Sequence, residues 1–274
     1  MRRFKQVDVF TATPFRGNPV AVVIDAEGLD DATMQRIACW TNLSETTFLL
    51  PSTLADYKLR IFTPLQELPF AGHPTLGSAH AALEAGFVTK KKQLKQECAA
   101  GVMELTVDGD EIFVRGPEAK ISEIDAARIA PTLGVPAERF LRVDVGAVWV
   151  IAEVASPEAL AAAKPDLGAL ADASHSLNAA GMTLFASSGK SEMHVRSFAP
   201  AHAIAEDPVC GTGNLSVAAY LRHTGQLQRF GNRYAARQGM QLGRDGRVSV
   251  RVDPDGVRIG GPSVTCIDGS LRLK

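Results

Sequence analysis

Residues 30 to 64 of this chain come back 136 residues later. The shift lays Asp30 on Asp166, Asn42 on Asn178, Thr47 on Thr183, Ser52 on Ser188, Arg60 on Arg196, Phe62 on Phe198 and Pro64 on Pro200, seven identities in all. Average composition would supply about two or three by chance. Beyond the prolines the offset becomes 139, which matches Gly72 with Gly211, Leu76 with Leu215 and Ala79 with Ala218. A three-residue insertion in the second copy accounts for the change. A repeat of this kind constrains the fold more than any local pattern does: the chain must build two similar halves.

Each copy reads as helix, strand, polar turn, strand, F-x-P loop, glycine, helix. The strands are expected near 45–50 and 58–63 in the first copy, and near 182–186 and 192–198 in the second, where β-branched and aromatic residues concentrate. The following helices are expected over about 74–84 and 214–223, each closed by a glycine, Gly86 or Gly225. Both helices are apolar or small on nearly every face, which suits a central helix wrapped by strands. Further strands are read near 102–107, 111–114, 148–154, 247–252 and 264–273. The expected fold is α+β, two pseudo-symmetric halves, each a curled mixed sheet or barrel around one helix. The break at Gly116-Pro117 divides them into residues 1–118 and 119–274, with exchange of the terminal strands left open.

Composition narrows the function classes. The net charge is −1, with 46% hydrophobic and 22% charged residues. That is an ordinary globular profile with no basic face for nucleic acid. The four cysteines, Cys39, Cys98, Cys210 and Cys266, form no CxxC pair, so neither a zinc site nor a disulfide framework is expected. The start leads into an alternating strand pattern rather than a signal sequence, and no long apolar run could span a membrane. A reduced, cytoplasmic protein is expected.

The chemistry concentrates where the two central helices begin. The first loop is Pro69-Phe70-Ala71-Gly72-His73-Pro74-Thr75, and the second is Glu206-Asp207-Pro208-Val209-Cys210-Gly211-Thr212-Gly213-Asn214. The first N–H groups of a helix lack internal acceptors and sit at the positive end of its dipole, so they suit a small anion such as a carboxylate. Gly211 and Gly213 would let a ligand approach the backbone closely. Neither loop has the lysine of a P-loop or the third glycine of a dinucleotide fingerprint. Glu45 heads an otherwise apolar strand, and its counterpart in the second copy is Gly181. One carboxylate facing two helix starts could act as both base and acid if an apolar cleft raised its pKa by desolvation. His73 could donate to substrate or relay a proton. Asp207, before a proline, could begin a turn, hold a substrate amine or hydroxyl, or pair with His73.

At these residues the sequence resembles the PhzF-like phenazine-biosynthesis family, which shares the diaminopimelate epimerase fold. The matching segments are Val7-Asp8-Val9-Phe10-Thr11, Phe15-Arg16-Gly17-Asn18-Pro19-Val20-Ala21-Val22-Val23, Asn42-Leu43-Ser44-Glu45-Thr46, Phe62-Thr63-Pro64 through Gly72-His73-Pro74-Thr75, and Glu206 through Gly213, in order along essentially the whole chain. The resemblance implies an isomerase that shifts a proton on a small carboxylate-bearing substrate, usually a homodimer, working without metal or organic cofactor. It places the family's catalytic glutamate on Glu45, its histidine on His73, its aspartate on Asp207 and its second-loop serine on Thr212. Gly72, Cys210, Gly211, Thr212, Gly213 and Asn18 are the expected substrate-binding residues.

The second loop departs from the family pattern, with Cys210 for threonine, Thr212 for serine and Gly213-Asn214 where alanine is common. Cys-Gly-Thr-Gly looks like one catalytic loop of the two-cysteine epimerases, but the corresponding residue of the first half is Ala71. Two alternatives therefore stand beside the isomerase. One is an epimerase or racemase of amino or imino acids using Cys210; the other is a non-catalytic small-molecule-binding homodimer.

Overall fold

The computed structural model of the chain describes residues 1–273. In chain order the first elements are β1 (Arg2–Val9), β2 (Asn18–Val23), α1 (Asp31–Thr41), β3 (Thr46–Leu50), β4 (Tyr57–Phe62), β5 (Glu67–Leu68), α2 (Gly72–Glu84), β6 (Gln93–Cys98), β7 (Gly101–Asp108) and β8 (Glu111–Arg115). Then come β9 (Lys120–Glu123), β10 (Glu138–Asp144), β11 (Val148–Glu153), α3 (Pro157–Ala162), α4 (Leu167–Ser176), β12 (Gly181–Gly189), β13 (Glu192–Ala199) and β14 (Ile204–Asp207). The chain closes with α5 (Gly211–His223), α6 (Leu227–Phe230), β15 (Arg233–Gln238), β16 (Gly246–Asp253) and β17 (Gly256–Leu271).

In the first unit the ladders run β17, β1, β2, β3, β4, β6, β7, β8 and back to β17, which closes a barrel. Closure leaves no exposed edge. β2–β3 and β4–β6 are parallel, and α1 and α2 make the crossovers that parallel strands need. The second unit repeats the order with β9, β10, β11, β12, β13, β15 and β16. Its parallel steps, β11–β12 and β13–β15, stand at the same places.

The two central helices pack against these strands. α2 touches β1, β2, β3, β4 and β8, and α5 touches β10, β11, β12 and β16. From Gly72 to Ala79 every residue of α2 is buried, and α5 is buried from Gly213 to Leu221. Glycine, alanine and serine recur there, where the helix packs closely against its strands. Full burial of a single residue such as Leu76 or Leu215 contributes about 1.5–3 kcal/mol.

The repeated residues do repeated jobs. Asp30 caps α1 by accepting from Thr33 N, and Asp166 caps α4 by accepting from Ala169 N. Asn42 and Asn178 both turn the chain with positive φ, 54° and 48°, a conformation that asparagine tolerates better than most residues. Arg60 pairs with both carboxylate oxygens of Glu67, and Arg196 does the same with Glu206. Each guanidinium also stacks over a phenylalanine ring, Phe62 or Phe198. Ser52 is an exception: it bonds Leu54 N, Ala55 N and Glu97, with no equivalent set at Ser188.

The units are not the two halves of the sequence. One comprises Met1–Arg115 with the chain from Gly260 onward, and the other Gly116–Ile259. The expected divide at 118/119 therefore lies near the first crossing, while the residues after Ile259 join the first unit. The physical reason is an open edge. β1 has β2 on one side, and β17 fills the other from Val9↔Ser263 to Arg2↔Leu271. Among the described residues, no helix is long and apolar enough to cross a membrane.

Candidate active site

Glu45 stands just before β3, three residues beyond the left-handed turn at Asn42 that ends α1. Its backbone is fixed, because its carbonyl accepts from Ala21 N and the next residue, Thr46, is hydrogen-bonded through its hydroxyl to Thr41. The side chain keeps 15% of its surface exposed, but Oε2 is fully buried and makes no hydrogen bond. Burial pushes the carboxyl up to about 7, against a hydrogen bond from Ser44 that pulls it down. His73, the second residue of α2, brings Nε2 to 3.4 Å from Glu45 Oε2. That distance allows ion pairing when the imidazole is protonated, without the alignment of a hydrogen bond. The cap position of α2 is Ala71, which offers no side-chain acceptor.

A buried polar chain supports this helix start from behind. Tyr57 Oη donates to Gln96 Oε1 at 2.9 Å, and Gln96 Nε2 donates to Thr75 Oγ1 at 3.1 Å. All three residues are completely buried. Asn18, at the start of β2 opposite Val9, is buried as well.

In the second unit the same positions hold different groups. Asp207 is half-buried, and its Oδ1 accepts from Val209 N, the turn expected of an aspartate before proline. The Cys210 sulfur is the cap of α5 and accepts from Gly213 N at 3.2 Å. Burial raises its thiol well above the ordinary range, and the nearby Asp207 adds to the effect. Such a thiol is a poor source of thiolate. Gly213 serves the interior of the unit: a Cβ there would stand 2.8 Å from both Ser197 Oγ and Thr183 Oγ1. Gly211 is the buried first residue of α5, as Gly72 is of α2.

Thr212 is the second residue of α5, the counterpart of His73 at the 139-residue offset. It is partly exposed, and its Oγ1 accepts from Trp149 Nε1 at 2.9 Å. Gln238 binds the loop from behind as Gln96 does in the first unit. Its Oε1 accepts from Cys210 N and Asn214 Nδ2, and its Nε2 donates to Asp207 O. At the place of Glu45, Gly181 has no room for any side chain, since a Cβ would lie 1.9 Å from Phe198 O. The repeat thus supplies two helix starts and one carboxylate for steric reasons.

The sequence pattern of the phenazine biosynthesis-like (PhzC-PhzF) family matches residues 7–269. This chain belongs to that family. It is 39% identical over 288 residues to antisense-enhancing sequence 1 of Schizosaccharomyces pombe, covering 97% of each chain. It is 32% identical over 275 residues to the trans-2,3-dihydro-3-hydroxyanthranilate isomerase of Pseudomonas aeruginosa, covering 97% of this chain and 95% of that one. A PhzF-family crystal structure from Bacillus anthracis superposes with a TM-score of 0.87 at 26% identity, covering 99% of both chains. The fold is α+β and diaminopimelate epimerase-like, as its family membership implies.

Sequence reasoning brought Glu45 and His73 forward, and they are neighbours within the first unit. Asp207, Cys210, Gly211, Thr212 and Gly213 gather at the start of α5 in the second. It missed Ser44, Trp149, Gln96 and Gln238. The glutamines gave no signal, because each lies in a strand already rich in polar and charged residues. Trp149 gave none either, because its partner lies 63 residues away. Among the described residues, no group of three or more His, Cys, Asp or Glu is placed to hold a metal ion.

Proposed function

We propose that this isomerase moves a proton between two carbons of a small carboxylate-bearing substrate, with Glu45 as the one acid/base and without a metal or organic cofactor. The observation that carries the reading is the Glu45 carboxyl, held near 7 by burial with one oxygen lacking a hydrogen bond. A group with that pKa is abundant in both protonation states at neutral pH. Ionised Glu45 takes a proton from a C–H bond next to a double bond. The electron pair left behind shifts the double bond, and the protonated carboxyl returns the proton at another carbon. His73 serves as donor or relay beside it. Thr212 and the N–H groups that open α5 suit a carboxylate, and Asp207 suits an amine or hydroxyl.

The name of the Pseudomonas aeruginosa relative suggests the substrate class, a cyclic amino acid with a carboxylate on the ring. Two-thiol racemisation gains no support, since Cys210 is a buried cap and position 71 is alanine. The test is deuterium incorporation from heavy water, followed by proton NMR on a panel of amino and hydroxy carboxylates that includes trans-2,3-dihydro-3-hydroxyanthranilate. Glu45→Gln is expected to slow exchange by about 10²- to 10⁴-fold with fold and ligand affinity retained. Exchange at the wild-type rate in that variant would overturn the assignment.

A further inference from the structure

The second residue of each central helix is fixed by a group on a neighbouring strand or strand head, and the two groups have opposite polarity. His73 faces the Glu45 carboxylate at 3.4 Å. Thr212 faces the indole of Trp149, which lies opposite Gly181 in the β11–β12 ladder. The corresponding position beside Glu45 is Val20, which has no polar atom to offer. We propose that Trp149 is a positioning residue that makes the Thr212 hydroxyl a donor, and so selects a carboxylate at the start of α5.

The argument is one of hydrogen-bond direction. An indole N–H can only donate, so Thr212 Oγ1 must accept from it. The hydroxyl then has its proton left to give, and its other neighbour within the unit is the Cys210 sulfur at 3.7 Å, a weak acceptor. A carboxylate accepts that proton; an ammonium, which only donates, finds one lone pair already taken. The N–H···O–H···O⁻ chain is further strengthened by mutual polarisation at low dielectric. Trp149 is 4% exposed, so its N–H would be unsatisfied without Thr212. This selection rests on the carboxylate role given to Thr212 above.

The chain has two tryptophans, and the other, Trp40, is 80% exposed. Their indole N–H resonances in a ¹⁵N spectrum are therefore easily told apart. Titration with anthranilate is expected to move the Trp149 resonance downfield with saturation, while aniline, which lacks the carboxylate, leaves it in place. Trp149→Phe is expected to weaken anthranilate binding by about five- to tenfold, the worth of one hydrogen bond. In a Thr212→Val background the same change should have little further effect, since Trp149 acts through that hydroxyl. Thr212→Ser, which keeps the hydroxyl, should restore affinity to within about twofold.

Three results would overturn the proposal: equal losses in both backgrounds, an unmoved Trp149 resonance with anthranilate bound, or no saturable binding of anthranilate. Glu45→Gln should leave the Trp149 shift intact. A Glu45→Gln protein that still exchanges protons but shows the shift would therefore sink only the acid/base reading.

Discussion

The starts of α2 and α5 are built on one scaffold and carry different chemistry. Each is braced from behind by a buried glutamine, Gln96 or Gln238. Each is preceded by a short strand whose glutamate, Glu67 or Glu206, is clamped by an arginine of the previous strand. On the first start the nearby group is a carboxyl whose pKa lies near neutrality; on the second it is an indole N–H. The difference teaches that the scaffold sets where a helix start stands, and single positions such as 45 and 181 set what it can do.

The clamps offer the largest test of that comparison. Arg196 and Glu206 each keep only 8% of their side-chain surface exposed, against 20% and 35% for Arg60 and Glu67. Arg196→Met should cost about 3–5 kcal/mol, because it strands a buried carboxylate. Arg60→Met should cost about 1 kcal/mol or less, as for a solvated pair. Urea unfolding of the two variants checks the contrast, and equal losses would mean that burial does not separate the clamps. Gly181→Ala should come next, at about 3 kcal/mol in the same assay, since the added Cβ meets backbone rather than a movable side chain. A tolerated alanine would break the steric explanation for the single carboxylate.

Glu45 should leave a pH signature with a definite sign. Its carboxyl binds a proton more tightly in the folded protein, so the unfolded state ionises first as pH rises. The penalty is absent below about 4.5, grows toward 7 and is complete above it, roughly 3 kcal/mol in all. Glu45→Gln should therefore gain stability relative to the wild type between pH 5 and pH 8, as measured by unfolding at several pH values. A pH-independent difference would remove the raised pKa on which the acid/base role depends. The smallest effect is expected at Cys210. Serine is a good helix cap, so Cys210→Ser should change stability by less than about 1 kcal/mol. It should leave turnover within a few-fold, where loss of turnover would restore the thiol to the chemistry.

Much of this was legible in the residues, and the illegible part has a common cause. Asp30 and Asp166 announce helix caps, Asn42 and Asn178 announce left-handed turns, and the glycine-proline loops announce the helix starts. These are local rules, satisfied within a few residues, so the repeat and the α+β halves follow from them. The candidate site residues Glu45, His73, Asp207 and Thr212 could be named for the same reason, each belonging to a short motif. Trp149 and the two glutamines could not, because their partners are distant in the chain and chosen by strand register.

By itself, then, the sequence determined a duplicated α+β fold with one unpaired carboxylate at position 45. Only the tertiary structure decided that the chain from Gly260 onward completes the first unit, where it fills the open edge of β1. Only there does the Glu45 carboxyl acquire its pKa near 7, since desolvation is a property of packing and not of a residue's neighbours in sequence. The structure also decided a local bond in the second loop. Gly213 N donates to the Cys210 sulfur, because a helix start must first dispose of its own N–H groups.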